Sequence, residues 1–120
     1  MYQVFYYKTA RGDCPFKLFV DGTSEKVRAK FDKLLDLLRQ HGPDLKRPYA
    51  DALRDGIREL RVGFGGDQYR ALYFFLYDGK IVITHGIIKK TNDVPSAEID
   101  RAIRYKGDFL RMIDNGELEI

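Results

Sequence analysis

Residues 57–91 constrain the fold more than any other stretch, because they predict three consecutive antiparallel strands. Residues 58–64 alternate apolar and polar side chains, which is the period of a strand with one buried face. Gly65-Gly66-Asp67 predicts a turn, and Asp78-Gly79 is one of the strongest two-residue hairpin signals. Two runs rich in aromatic and β-branched residues complete the pattern, at 68–77 and 80–88. A β-meander is therefore the centre of the predicted fold.

The chain before the meander predicts one strand and two helices. Residues 2–8 are aromatic and β-prone and predict the strand. Pro15 suits the first turn of a short helix that ends near residue 22, because a missing N–H costs nothing there. Thr23 or Ser24 is expected to cap a longer helix to about residue 41, whose apolar residues recur at helical spacing.

Two segments remain to be placed. In residues 44–56, Pro48 is expected to open a helical turn that runs through Leu53, while Lys46 and Arg47 are exposed and line the rim of a groove. The last helix is expected to begin near Pro95 and to end at Asn115-Gly116, a typical stop signal.

The predicted order of elements is β-α-α-β-β-β-α within a single domain over residues 1–120. This order predicts an α+β fold with a small, mostly antiparallel sheet. We expect the helices to pack on one face of the sheet and to leave the other face partly open.

Length and composition set limits on the class of protein. A chain of 120 residues with 44% hydrophobic and 13% aromatic residues is long enough to bury a core and does not resemble a disordered protein. We expect no membrane span and no signal peptide, and therefore a cytoplasmic protein. The single Cys14 has no partner for an internal disulfide, and one cysteine with two histidines does not predict a zinc site.

Charge is concentrated on the meander. The net charge is only +3, but residues 57–90 carry six Lys or Arg against three Asp or Glu. The pattern predicts a basic, solvated surface on a rigid sheet, and two interpretations stay open: an ordinary solvated face or a binding surface for an anionic partner.

Four short strings resemble, in the same order, the phage-derived HigB-like toxins of the RelE/ParE superfamily. They are DGIRELRV at 55–62, QYRALYF at 68–74, HGIIKKT at 85–91 and PSAEI at 95–99. The resemblance covers nearly the whole chain. It implies a RelE-like fold and the toxin of a type II toxin–antitoxin system, which is an endoribonuclease that cleaves mRNA, often on the ribosome, and inhibits translation. It also implies a cognate helix-turn-helix antitoxin with which the toxin oligomerises, and it implies no metal or cofactor.

The resemblance places the candidate site on the basic meander. RNA cleavage by the internal 2′-hydroxyl requires orientation, proton transfer and stabilisation of charge on the phosphorane. The candidate catalytic residues are Arg61, Arg70, Lys89 and Lys90. The candidate substrate-binding residues are Arg58, Glu59 and Thr91.

Each candidate also has a structural interpretation. Arg61 and Arg70 are expected to lie side by side on neighbouring strands, where each either binds phosphate or pairs with Glu59. Lys89 and Lys90 point to opposite faces of a continuous strand, so only one of them is expected to reach the substrate. A lysine acts as a base only if burial or neighbouring cations lower its pKa.

His85 and two tyrosines are interpreted as structural residues. His85 is interpreted as a core histidine bonded to the backbone rather than as an acid or base. Tyr73 and Tyr105, which could stack a base, are interpreted as core residues. The alternative function is that of a ParE-like toxin that is not a nuclease and binds and poisons DNA gyrase.

Overall fold

The computed structural model describes residues 1–120 and contains five strands and three helices. The strands are β1 (Gln3–Tyr6), β2 (Ala50–Ala52), β3 (Arg58–Phe64), β4 (Asp67–Leu76) and β5 (Lys80–Lys89). The helices are α1 (Pro15–Asp21), α2 (Glu25–His41) and α3 (Ser96–Asp114), and a single 3-10 turn, Gly42–Asp44, follows α2. None of the three helices has both the length and the apolar composition that crossing a bilayer requires.

The predicted meander is the middle of one five-stranded sheet with the order β1-β5-β4-β3-β2. β3, β4 and β5 pair antiparallel in sequence order, and β2 adds antiparallel to β3 at one edge. β1 joins β5 in parallel at the other edge. The α+β class and a mostly antiparallel sheet are therefore confirmed.

Helices α1 and α2 cover one face of the sheet, here called the α2 face. Ser24 begins α2 as predicted, because its Oγ accepts a hydrogen bond from the Val27 N–H at 3.2 Å. The predicted apolar stripe of α2 is buried and packs with the sheet residues of this face. These sheet residues are Leu60, Val62, Ala71, Tyr73, Ile81 and Ile83.

Helix α3 lies on the opposite face, so the expectation that all helices pack on one face is wrong. Leu72, Phe74 and Val82 on this second face are fully buried, and Ala102 and Phe109 of α3 pack in the same cluster. The physical reason is that the central strands are apolar on both faces, and each face requires its own cover. We call this second face the α3 face.

The segment before the meander also departs from the expectation. Residues 50–52 form β2, and no helical turn opens at Pro48. Ala50 pairs with Leu60 and is fully buried, and Asp51 pairs with Glu59. Pairing with the exposed edge of β3 satisfies backbone groups that a short helical turn would leave unpaired, which explains why a strand forms.

A β-bulge in β5 changes which side chains share a face. Leu72 pairs with His85 but Tyr73 pairs with Ile83, so Thr84 is an extra residue in β5. The Thr84 hydroxyl donates to the Leu72 carbonyl at 3.1 Å. Before the bulge, Ile83 lies on the α2 face. After it, the residues at odd positions lie on the α3 face, because an extra residue reverses the alternation.

Gly86 allows α1 to pack directly on β5, which leads to a test of the fold. A Cβ built on Gly86 would overlap the Phe19 ring. We expect Gly86→Ala to lower the free energy of unfolding by about 1–3 kcal/mol, because the partly buried Phe19 ring must move or strain. Urea denaturation measures the change.

Gly107 is the matched control for this substitution. It lies inside α3, and a Cβ there would meet nothing within 4 Å. Gly107→Ala should raise stability by about 0.5–1 kcal/mol, because alanine is the better helix former. Equal effects of the two substitutions would contradict the packing of α1 on β5.

Candidate functional site

An open cleft of about 430 Å³ lies on the α3 face, where β2, β3 and the end of β5 meet the loop before α3. α3 begins at Ser96, and its first turns form one wall through Ile99. The charged and amide side chains of the lining are Arg47, Asp51, Arg54, Glu59, Arg61, Lys89, Asn92 and Asp93. Four of the residues that the sequence singled out therefore meet at the cleft or beneath it: Glu59, Arg61, Arg70 and Lys89.

Glu59 holds the two arginines of this cluster together. Arg61 and Arg70 are direct cross-strand partners on β3 and β4, as expected from the sequence. The Arg61 Nη1 donates to Glu59 Oε2 at 2.7 Å, and the Arg70 Nε lies 3.1 Å from Glu59 Oε1. Two guanidinium groups thus pair with one buried carboxylate on the floor of the cleft.

Arg70 is the most deeply buried member, with only 1% of its surface exposed. Its Nη1 donates to the Tyr69 carbonyl at 2.9 Å and to Gln68 Oε1 at 3.3 Å. Burial lowers the pKa of its guanidinium, and the charge of Glu59 opposes that change. Arginine nevertheless stays protonated in proteins, so a full positive charge lies beneath the cleft.

The Arg70–Glu59 contact is close but poorly aligned. The distance of 3.1 Å is that of an ion pair, yet the Arg70 Nε–H does not point at the oxygen, and neither atom makes a hydrogen bond. Buried polar atoms without well-aligned partners are rare. The contact is therefore an ion pair, because attraction between charges depends on their separation more than on angle.

Arg61 and Lys89 bring positive charge to the surface of the cleft. The Arg61 side chain is 22% exposed. The Lys89 Nζ donates to the Asn92 carbonyl at 2.8 Å and pairs with no carboxylate. Burial lowers the pKa of Lys89, and the neighbouring charge of Arg70 lowers it further. The charge of Glu59 opposes this change. The direction of the shift favours the neutral amine that accepts a proton.

Two further arginines form the rim. Arg47 pairs with Asp51 at 2.8 Å, and the hydrogen bond from Arg47 lowers the pKa of Asp51. The expectation that Arg47 lines a groove is confirmed. Arg54 pairs with Asp100 at 2.7 Å and donates to the Ser96 hydroxyl, so it ties the rim to the start of α3. Sequence analysis missed Asp51 and Arg54. Asp51 lies in β2, which has three residues, and Arg54 lies in the loop after it, so neither position shows a periodic signal.

Three candidates lie outside the cleft. Arg58 is on the α2 face, where its Nε donates to the Tyr73 hydroxyl at 3.3 Å and its guanidinium lies over the Phe75 ring. Lys90 is exposed and follows the last residue of β5, and Thr91 donates to the Asp93 carbonyl in the next loop. Alternation along β3 explains Arg58, because it is one residue from Glu59.

His85 is buried beside the cleft rather than in it. It is 1% exposed, as expected of a core histidine, but its partners are side chains and not the backbone. Its Nδ1 lies 3.0 Å from the Thr84 hydroxyl and its Nε2 lies 3.2 Å from Glu98 Oε1. Burial lowers the pKa of His85 to about 4, helped by the charge of Arg101. The imidazole is therefore neutral at pH 7.

The two tyrosines considered for base stacking are core or network residues. Tyr73 is fully buried on the α2 face. Tyr105 stacks on Tyr7 with ring centroids 4.4 Å apart and accepts a hydrogen bond from Arg101 at 2.9 Å. The interpretation of both as packing residues is confirmed.

The arrangement suits the binding of a phosphodiester. Arg61 offers a planar fork, Lys89 offers an ammonium group with a lowered pKa, and Arg70 adds charge from below. Nowhere in the chain do three or more His, Cys, Asp or Glu side chains come together in a group that could hold a metal ion.

Comparison with known protein families gives a match over most of the chain. The family described as "Phage derived protein Gp49-like (DUF891)" matches residues 19–106. The matched residues run from α1 into α3 and include every residue of the cleft. No curated protein matches the chain.

The buried pair predicts a characteristic pattern of stability. Arg70→Met should lower the free energy of unfolding by roughly 3–5 kcal/mol, because it leaves Glu59 buried beside one partner only. Glu59→Met should cost a similar amount, because it leaves the charge of Arg70 buried and unpaired. The double variant should return to near wild-type stability, since an apolar pair of similar volume replaces both charges.

Urea denaturation of the four proteins completes a double-mutant cycle. Additive losses in the double variant would show that Glu59 and Arg70 are not energetically coupled.

The lowered pKa of His85 predicts that the protein loses stability in mild acid. Its folded pKa of about 4 lies below the value of about 6.5 in an unfolded chain, so the unfolded state binds more protons between these values. Stability should therefore be complete above pH 6.5 and should fall as the pH drops toward 4, by roughly 3 kcal/mol from this group. The difference between wild type and His85→Gln isolates the contribution of His85. His41→Gln, which removes an exposed histidine, is the control substitution.

Proposed function

The chain belongs to the phage-derived Gp49-like family, and from that premise we propose that it is the toxin of a type II toxin–antitoxin system and cleaves mRNA. The observation that carries the proposal is that Arg61 and Arg70 share the single carboxylate of Glu59 at an open cleft that Lys89 also lines. Two arginines against one carboxylate leave an excess of positive charge where a phosphodiester would bind. The resemblance of the motifs that contain these residues to HigB-like toxins supports the same assignment.

In this proposal the RNA supplies its own nucleophile. The 2′-oxygen attacks the neighbouring phosphorus and the bond to the 5′-oxygen breaks, which forms a 2′,3′-cyclic phosphate, and negative charge grows on the phosphoryl oxygens during the step. The departing 5′-oxygen takes a proton from water. Arg61 contacts these oxygens, because its guanidinium is both exposed to the cleft and held by Glu59. A preorganised cation stabilises the transition state more than the substrate, which is the requirement for catalysis.

Lys89 removes the proton of the 2′-hydroxyl. A base must be neutral to accept a proton, and burial and the charge of Arg70 both favour the neutral amine of Lys89. Lys90 has no such role in the proposal, because it is exposed and lies outside the cleft.

Arg70 acts as a positioning residue. With 1% exposure it does not touch a substrate in the cleft, which changes the expectation from sequence that it binds phosphate directly. Its charge holds the Glu59 carboxylate in place, and that carboxylate in turn orients the Arg61 guanidinium. Arg70 also contributes to the lowered pKa of Lys89.

The proposed partners follow from the same charge. mRNA, and the ribosome that presents it, are the proposed targets. The proposed inhibitor is a cognate helix-turn-helix antitoxin that forms a complex with the toxin and covers the cleft with an acidic segment. Such binding should weaken with salt, since the charges at the rim are exposed.

Brief induction of the protein in cells tests the proposed function. Protein synthesis should fall before DNA synthesis in pulse labelling, and new mRNA 5′ ends should appear. Early failure of DNA synthesis with broken DNA and intact mRNA would instead support the ParE-like poisoning of gyrase.

Substitutions at the cleft test the roles of its residues. Arg61→Ala should slow cleavage roughly 100- to 1000-fold, as loss of a preorganised donor does. Lys89→Arg should be slow as well, because arginine keeps the charge but does not release a proton at accessible pH. In wild type the cleavage rate should rise with pH toward a midpoint below the ordinary lysine value, and Lys89→Arg should abolish that rise.

Lys90→Ala is the matched control, since it removes the adjacent exposed lysine. It should change the cleavage rate by less than about threefold, the effect of one screened surface charge. Wild-type cleavage by Lys89→Arg would assign Lys89 a purely electrostatic role.

A further inference from the structure

A row of residues runs across the strands from the cleft to the edge of the sheet. Arg70 on β4 pairs with Arg61 on β3, and the Arg61 N–H donates to the Tyr49 carbonyl at 2.8 Å. Tyr49 directly precedes β2 and continues its register with β3, because Ala50 pairs with Leu60. The backbone of Tyr49 is thus fixed one strand spacing from Arg61, roughly 5 Å away.

The Tyr49 side chain is available to a ligand. It is 45% exposed, and no other aromatic ring of the chain packs against it. Tyr73 and Tyr105, in contrast, are held in the core and in the network of α3. An exposed tyrosine on a rigid backbone offers a large contact area at low cost in conformational entropy.

A second recess adjoins the cleft at this position. It has a volume of about 280 Å³, and its lining consists of Leu37, His41, Asp44, Leu45, Lys46, Arg47 and Tyr49. Arg47 lines both the recess and the cleft, so the two form neighbouring parts of one surface. Aromatic rings interleaved with cations are the usual platform for single-stranded nucleic acid.

We propose that Tyr49 and this recess form a nucleotide subsite, in which the Tyr49 ring stacks on the base next to the phosphate bound by Arg61. The inference rests on the proposed function and names its substrate class as single-stranded RNA. The backbone hydrogen bond between Arg61 and Tyr49 makes the two residues direct cross-strand neighbours, and side chains of such neighbours lie on the same face of a sheet. Stacking accepts any base, so the subsite orients the strand without selecting a sequence.

Binding of a ten-nucleotide single-stranded RNA with 2′-O-methyl groups tests the subsite. This probe lacks the 2′-nucleophile, so affinity is measured without cleavage. Tyr49→Ala should weaken binding roughly 5- to 100-fold, and Tyr49→Phe should keep wild-type affinity, because the ring and not the hydroxyl stacks. Both variants should melt like wild type, since the side chain is exposed.

Tyr77→Ala is the matched control. Tyr77 is a tyrosine of similar exposure, 55%, in the turn between β4 and β5, away from the cleft. Its loss should leave RNA affinity unchanged. Equal weakening by Tyr49→Ala and Tyr77→Ala would overturn the subsite, because it would show a general effect of surface tyrosines.

Probes with one abasic position identify the stacked base. In wild type one abasic position should weaken binding by the same factor as Tyr49→Ala, and the two changes together should add nothing further. If the protein binds RNA and neither Tyr49→Ala nor any abasic position weakens that binding, the subsite is overturned and the proposed function stands. Absence of RNA binding by wild type at low salt contradicts the proposed function itself. Tyr49-dependent binding of the probe, together with no cleavage of the same RNA with free 2′-hydroxyls, supports the subsite and contradicts only the nuclease.

Discussion

Burial of the β3-β4-β5 meander on both faces is the constraint on which the rest of the structure depends. β4 lies between two strands, and its Leu72, Tyr73 and Phe74 are all fully buried although they alternate between faces. Each face must therefore be covered by helices, α1 and α2 on one side and α3 on the other. Charged side chains can lie on the sheet only where this cover ends, and the cleft is formed there.

Glu59 makes the uncovered end of the sheet stable as well as charged. A buried carboxylate is costly unless it is paired, and Arg61 and Arg70 supply two partners on adjacent strands. The second arginine leaves the cluster with an excess of positive charge, which Lys89 increases. The same contacts that make burial tolerable thus produce a fixed positive potential for an anionic ligand. Tyr49 lies at the outer end of this arrangement because β2 pairs with β3.

Local patterns predicted much of the fold. The alternation over residues 58–64, the turn signals at Gly65-Gly66 and Asp78-Gly79 and the two β-prone runs after them predicted the meander. This prediction agrees with the structure to within a few residues. Its pairing also predicted that Arg61 and Arg70 are neighbours. Two features were not predictable in this way. β2 is too short to show a period, and the face that α3 covers depends on contacts between residues distant in the chain.

The sequence by itself determined β1, the meander, the helices and the types of residue at the candidate site, because these follow from periodicity, turn chemistry and charge. Only the tertiary structure decided which of these residues meet. The bulge at Thr84 reverses the alternation of β5, so Lys89 joins Arg61 and Glu59 whereas simple alternation from Ile83 would place it on the α2 face. A one-residue shift moves every later side chain of a strand to the other face. That shift is set by how β5 packs between β4 and the helices, and no local pattern in the sequence encodes it.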